Sequence, residues 1–130
     1  MRNQQPLRIL VVEDEPMIAL GIQEVLSDAG FAIAGVAATL TKALALIELG
    51  ACDAAILDAN LAGVSSSPAG TALAARGLPF VILSGYSAKQ QVGAFPGSTL
   101  FLQKPCAPDR LVAALNGVLN RADGVAVDAG

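Results

Sequence analysis

Five polar or charged side chains in this sequence stand where short apolar runs end. In chain order they are Glu13, Asp14, Asp58, Ser84 and Lys104. Carboxylate oxygens are the ligands that hard cations such as Mg²⁺ prefer. A carboxylate can also attack a phosphoryl group while a metal, a hydroxyl and an ammonium neutralise the phosphoryl oxygens. Brought together, these side chains would form a site for a divalent cation and a phosphoryl group.

The elements that must position these side chains alternate along the chain. Short continuous apolar runs predict five buried parallel strands, at residues 7–12, 31–36, 54–57, 80–83 and 100–103. Helical spacing of apolar residues predicts helices at 16–29, 40–49, 68–76 and 108–119. We expect Pro16 in the first turn of its helix, Thr39 as an N-cap, and Gly30 and Gly50 as helix ends. A fourth helix, at 87–92, is expected to be short or disordered because Gly and Pro follow it.

Strict alternation predicts an α/β fold with helices on both faces of a five-stranded parallel sheet. In the doubly wound (βα)5, flavodoxin-like order 2-1-3-4-5, strands one and three are neighbours about 5 Å apart. Glu13, Asp14 and Asp58 then crowd together at the carboxyl edge of the sheet. Because like charges so close raise each other's pKa unless a cation lies among them, we expect Mg²⁺ at this edge.

Size and charge restrict the class of protein. The 130 residues, 54% of them hydrophobic, suit a single domain, which we place at 7–121 with an N-terminal extension at 1–6 and a tail at 122–130. A net charge of −3 without a Lys/Arg cluster argues against nucleic acid as a partner. The sequence has no apolar stretch of membrane-spanning length and no signal-peptide pattern, so we expect no membrane and a cytoplasmic location.

Histidine is absent from the sequence. Its absence excludes Ser-His-Asp and Cys-His catalysis and any histidine-ligated metal within this chain. The chain cannot carry a phosphohistidine of its own. Any phosphoryl group must therefore arrive from elsewhere.

Four motifs at the strand ends carry a resemblance to a known family. They are Val11-Val12-Glu13-Asp14-Glu15, Leu57-Asp58-Ala59-Asn60-Leu61, Ser84-Gly85-Tyr86 and Gln103-Lys104-Pro105. With them the chain resembles a receiver domain of a two-component response regulator over nearly its whole length. The resemblance implies a phosphorelay signalling protein, not a conventional enzyme, whose phosphodonor is a sensor histidine kinase or a histidine phosphotransfer protein. It also implies a downstream protein partner, which the sequence does not name.

The same resemblance implies a role for each residue at the edge. Asp58 would be the phosphoacceptor, and Mg²⁺ would be held by Glu13, Asp14, Asp58 and the backbone carbonyl of Asn60. Ser84 and Lys104 would contact the phosphoryl oxygens. The peptide bond between Lys104 and Pro105 would be cis, as X-Pro chemistry permits.

Two features bear on the subfamily. The family commonly has a Tyr or Phe switch residue three positions before the lysine; here this is Phe101, with Tyr86 as the alternative switch. The Ser84-Gly85-Tyr86 run and the Ser-rich loop resemble the single-domain, FATGUY-type receivers of alphaproteobacteria, which partner HWE-type kinases. Such a protein could act as a phosphate sink, as a shuttle or as a switch of partner binding.

Two other functions remain open. A haloacid-dehalogenase-like phosphatase also uses an Asp nucleophile, Mg²⁺, a hydroxyl and a Lys, but it requires an acid two residues after the nucleophile, where this chain has Asn60. A degenerate receiver would bind its partners without phosphorylation. Incubation with acetyl phosphate separates the three functions. A receiver should be stably labelled, a phosphatase should turn the compound over, and a degenerate receiver should not react.

Overall fold

The strands and helices follow from the pattern of apolar runs and helix ends. The computed structural model describes residues 5–85, 95–96 and 99–122. The strands are β1 Arg8–Val12, β2 Ala32–Ala37, β3 Ala54–Asp58, β4 Asn60–Leu61, β5 Val64–Ser65, β6 Phe80–Ser84 and β7 Leu100–Gln103. The helices are α1 Pro16–Asp28, α2 Leu40–Leu49, α3 Ser67–Ala75 and α4 Pro108–Ala122.

Five of the strands form one parallel sheet in the order β2-β1-β3-β6-β7. This order confirms the predicted 2-1-3-4-5 arrangement and the doubly wound fold. Its central strand, β3, is buried along its whole length. The carboxyl ends of β1, β3, β6 and β7 therefore meet at one edge, which is where the motif residues lie.

Each face of the sheet has its own aliphatic core. Alternate residues of a strand point to opposite faces, so Leu10 and Leu57 pack with Ile47 of α2 and Leu73 of α3. Ile9, Val11 and Ile56 pack on the other face with Leu26 of α1 and Leu115 of α4. The two layers of helices hold the sheet, and with it the edge that carries the site.

The helix ends agree with the predicted signals. Pro16 opens α1, and the Oγ1 of Thr39 accepts a hydrogen bond from the N–H of Lys42 at 3.2 Å. Gly50 ends α2 with φ of 70°, a conformation that favours glycine. The bounds of α3 differ slightly from the prediction, since this helix begins at Ser67.

A short antiparallel hairpin, β4–β5, replaces part of the loop predicted after the third strand. Its two-residue turn has positive φ at both central positions, 53° at Ala62 and 92° at Gly63, as a type I′ turn requires. The Oδ1 of Asn60 accepts a hydrogen bond from the N–H of Gly63 at 2.7 Å. The hairpin thus fixes the chain directly after Asp58.

Some predictions fall on residues that the structure does not describe. They are the short or disordered helix at 87–92, the alternative switch residue Tyr86 and most of the extension and tail. None of the helices described here is long and apolar enough to cross a membrane.

Candidate functional site

Backbone hydrogen bonds fix the residues at the carboxyl edge of the sheet. Val12 pairs with Leu57 across β1 and β3, so Glu13 and Asp58 each follow one member of the same pair. The N–H of Glu13 donates to the carbonyl of Ala37 at 2.9 Å, and the N–H of Lys104 donates to that of Ser84 at 2.7 Å. The parallel hydrogen-bonding pattern therefore continues one residue past these strand ends and positions the backbone of the site.

Three carboxylates converge there. One oxygen from each of Glu13, Asp14 and Asp58 lies within 4.8 Å of the other two. Glu13 and Asp58 are buried, whereas Asp14 is partly exposed. The sequence-predicted acids are thus brought together by the fold.

Asp58 has a defined partner at each carboxylate oxygen. Oδ1 accepts a hydrogen bond from the N–H of Asn60 at 3.2 Å, and Oδ2 accepts one from the Nζ of Lys104 at 3.0 Å. The side chain of Asp58 retains 9% of its surface exposed. It is therefore held in place and still open to a small group arriving from solvent.

Lys104 bridges two of the acids. Its Nζ also lies 3.4 Å from Oε1 of Glu13. Partial burial alone would lower the pKa of Lys104, but its hydrogen bond to Asp58 and the charges of both acids outweigh burial and raise it. The side chain is an ammonium at neutral pH.

Burial dominates at Glu13, whose side chain is fully enclosed. Burial raises the pKa of this carboxyl above its usual value, and the negative charge of Asp58 raises it further. The N–H of Glu15, which donates to Oε2 at 3.1 Å, and the charge of Lys104 oppose this rise. A cation placed among the acids would relieve the same repulsion.

The remaining predicted site residues lie at or near this edge. Ser84 is buried, and its Oγ has no hydrogen-bond partner among the described residues. The peptide bond between Lys104 and Pro105 is cis. Phe101 is partly buried and lies on the α2–α3 side of the sheet.

The donor set suits a hard divalent cation. All three side chains offer oxygen, which Mg²⁺ favours over nitrogen or sulfur. The carboxylate of Asp14 makes no hydrogen bond or ion pair within the part of the chain that the structure describes, so it is free to act as a ligand. The acidic group can therefore hold a metal ion.

A groove runs beside the site, between α1 and α4. Its volume is about 690 Å³, and its lining is mostly apolar. Ile18, Ile22 and Val25 contribute from α1, Leu111 from α4, and Lys104 lies at one side. The groove is therefore continuous with the acidic cluster.

Sequence reasoning missed the groove and two buried residues. The groove depends on how two distant helices pack, which no local pattern records. Phe95 is buried although it stands in a Gly- and Pro-containing segment, and an isolated aromatic there was its only signal. Ser66 is fully buried with an unpartnered hydroxyl among the described residues, and a serine-rich loop gives no sign of that.

Comparison with known proteins agrees with this geometry. Residues 9–116 match the family described as response regulator receiver domain. The chain belongs to this family. The receiver resemblance predicted from the four motifs is confirmed, and the fold is one typical of signalling proteins.

The receiver is similar to several characterised relatives. It is 41% identical to SdrG from Sphingomonas melonis, whose solution structure superposes with a TM-score of 0.75 and covers 88% of this chain and 97% of that chain. A receiver protein from Sinorhizobium medicae has a TM-score of 0.84 at 23% identity, over 92% of this chain and 99% of that one, which shows the shared fold.

The chain is also 29% identical over 119 residues to the transcriptional regulatory protein PdtaR of Mycobacterium tuberculosis. That match covers 89% of this chain but 58% of PdtaR. The receiver thus spans little more than half the length of that relative.

Proposed function

We propose that this receiver accepts a phosphoryl group on Asp58 from a histidine kinase or a histidine phosphotransfer protein. The observation that carries the proposal is the contact between Lys104 and Asp58, with Nζ 3.0 Å from Oδ2 inside a cluster of metal-competent acids. An aspartate that served only to keep the surface polar would not be expected to lie buried against an ammonium and two further carboxylates.

The chemistry is a transfer between a nitrogen and an oxygen. A carboxylate oxygen of Asp58 attacks the phosphorus of a phosphohistidine, the P–N bond breaks, and the imidazole leaves with the bonding electron pair and takes up a proton. Lys104 and the Ser84 hydroxyl neutralise the phosphoryl oxygens, as do backbone N–H groups after Asp58. The phosphohistidine must lie outside these 130 residues, because they contain no histidine.

Mg²⁺ is the cofactor that this site fits. Glu13, Asp14, Asp58 and the backbone carbonyl of Asn60 would hold it. When bound, it supplies positive charge that offsets the charge developing on the transferred group. The all-oxygen donor set supports this choice, as does the carboxylate of Asp14, which has no partner among the residues that the structure describes.

The apolar groove supports a protein as phosphodonor. Ile18 of α1 is 41% exposed and lines the groove that Lys104 borders. Large apolar side chains clustered beside a reactive site are typical of protein contact surfaces. We propose that the donor protein docks in this groove and presents its phosphohistidine to Asp58.

The phosphatase alternative receives less support from the site. The residue two positions after Asp58 is Asn60, whose Oδ1 is bound to the N–H of Gly63. A carboxamide has no acidic proton to give to a leaving group. The degenerate alternative receives little support, because the acids, the hydroxyl and the lysine are all present.

We also propose a wider signalling role for this receiver. The receiver acts as a signalling protein in the cytoplasm and passes its state to a further protein partner. Phe101 is its switch residue, and an HWE-type kinase is its donor if the FATGUY-type resemblance holds.

The deciding experiment measures phosphoryl transfer from acetyl phosphate with Mg²⁺. We expect the wild-type protein to take up one phosphoryl group per chain and Asp58→Asn to take up none. Asp28→Asn, which makes the same charge change at the exposed end of α1, should label like wild type. Labelling that survives in Asp58→Asn would exclude this mechanism. Continuous release of many equivalents of inorganic phosphate per chain, without accumulated label, would favour the phosphatase.

A further inference from the structure

The ring of Phe95 packs so close to Gly70 of α3 that a larger residue at that position would clash with it. The ring is 5% exposed. A Cβ built on Gly70 would lie 2.9 Å from Cδ1 and 3.2 Å from Cε1 of this ring, closer than atoms pack without displacement. Glycine is a poor helix former, yet Gly70 lies inside α3. The close approach of the aromatic ring gives a reason for it.

The same ring contacts the predicted switch residue. Phe95 and Phe101 meet edge to face, with centroids 5.5 Å apart and planes inclined at 83°. Phe101 has no hydroxyl, so no hydrogen bond can fix its ring, and packing against a neighbouring ring must do so. Phe95 is that neighbour.

Phe101 and Gly70, which both contact Phe95, belong to elements that adjoin the acidic site in the chain. Phe101 belongs to β7, which ends immediately before Lys104. Gly70 belongs to α3, which follows Asp58 after the β4–β5 hairpin. Phe95 therefore joins the strand that delivers the lysine to the helix that follows the phosphoacceptor.

We propose that Phe95 and Gly70 are the positioning residues of the Phe101 switch, through which phosphorylation at Asp58 is transmitted to α3. Gly70 leaves the room that Phe95 occupies, and Phe95 sets the orientation of Phe101. This inference rests on the proposed phosphorylation of Asp58. It adds a packing contact as the means by which phosphorylation is transmitted, because Phe101 lacks the hydroxyl that a tyrosine would have.

Fluorine NMR can follow each ring separately. The chain has four phenylalanines, so labelling with 4-fluorophenylalanine gives four signals that single Phe→Leu variants assign. Beryllofluoride with Mg²⁺ mimics the phosphoryl group on Asp58. We expect the signals of Phe95 and Phe101 to shift together. The signal of Phe31, which is partly buried and packs against the core on the other face of the sheet, should stay in place.

A glycine pair provides the matched test. Gly70→Ala should displace the Phe95 signal before activation and reduce the activation shift of Phe101 at least twofold. Gly117→Ala makes the same change inside α4, where the new Cβ meets nothing within 4 Å, and should behave like wild type. If Gly70→Ala does not fold, Phe95→Leu, which removes the ring and keeps an apolar side chain, should cause the same twofold loss at Phe101.

The outcomes separate this inference from the proposed function. A Phe101 shift that persists in Gly70→Ala or Phe95→Leu, or that occurs in wild type while Phe95 stays still, overturns the inference. Failure of Asp58 to label with acetyl phosphate overturns the proposed function. Normal labelling of Asp58 together with four unmoved fluorine signals overturns the inference alone.

Discussion

The hydroxyl of Ser84 is buried and has no hydrogen-bond partner among the described residues. Buried polar groups are rarely left without a partner. A phosphoryl oxygen on Asp58 would supply the missing acceptor. The unpartnered hydroxyl is therefore consistent with a site prepared for a ligand.

Ser84→Ala should slow phosphorylation without destabilising the fold. A hydrogen bond to a charged group contributes about 1.5–3 kcal/mol, so labelling by acetyl phosphate should slow roughly tenfold or more. The free energy of unfolding should change by less than about 1 kcal/mol, because the hydroxyl makes no hydrogen bond to any residue that the structure describes. Ser66→Ala removes another buried hydroxyl that has no partner in the described part of the chain, and it should label at the wild-type rate. Equal rates for Ser84→Ala and wild type would remove Ser84 from the mechanism.

Glu13→Gln should stabilise the metal-free protein at neutral pH. Because burial raises the pKa of Glu13 in the folded state above its ordinary value, the contribution of Glu13 to stability is most favourable at pH values below that ordinary value. The contribution is lost as pH rises through the folded-state pKa. The advantage of the glutamine variant over wild type should thus be present near pH 7 and vanish near about pH 4.

Urea unfolding with EDTA at both pH values measures this difference. Glu24→Gln, at an exposed position of α1, is the control and should show no such pH dependence. A Glu13→Gln protein that is less stable than wild type at neutral pH would contradict the reasoning from burial.

Among the elements, α1 and α4 frame the apolar groove beside the site. If the phosphodonor is a protein that docks there, Ile18→Ser should lower transfer from it at least tenfold and leave labelling by acetyl phosphate unchanged. Leu49→Ser removes a large exposed apolar side chain at the end of α2, away from the groove, and should leave both reactions unchanged.

The donors for this comparison are a panel of purified, autophosphorylated histidine kinases, including HWE-type kinases. Wild type is used first to find those that transfer. Equal transfer to Ile18→Ser and wild type from every competent kinase would exclude the groove as the docking surface.

The elements also show which features a sequence reveals. Apolar runs and helix ends predicted five strands and four described helices, because burial and capping leave local patterns. The β4–β5 hairpin was missed because its turn places Ala62 in a positive-φ conformation, which residue preferences disfavour. Phe95 was missed because its burial depends on Gly70, which is distant in sequence.

The candidate site was predictable to the extent that it follows from strand ends. Parallel register brings Glu13, Asp58 and Lys104 together once the strand order is right. The pairing of Lys104 with both acids depends on side-chain geometry within the folded edge. So does the lack of a partner for the Ser84 hydroxyl among the described residues. Motif spacing alone does not contain that geometry.

At the scale of the whole molecule, metal binding should increase the free energy of unfolding. A ligand that binds only the folded state stabilises it by about 1.4 kcal/mol at ten times its dissociation constant. Mg²⁺ should therefore raise the melting temperature of wild type, and Asp14→Ala should lose most of this gain. Asp28→Ala, at an exposed position, should retain it. An undiminished Mg²⁺ effect in Asp14→Ala would exclude Asp14 as a ligand.

The acidic edge has a consequence for the order in which ligands bind. Three carboxylates face the single ammonium of Lys104 in the described cluster, so without metal the edge repels a dianionic phosphoryl donor. We therefore expect the cation to bind first, in a compulsory order. Rapid-mixing experiments should show a lag when Mg²⁺ and acetyl phosphate are added together at low metal concentration. Incubating the protein with Mg²⁺ beforehand should abolish the lag, whereas incubation with acetyl phosphate should not.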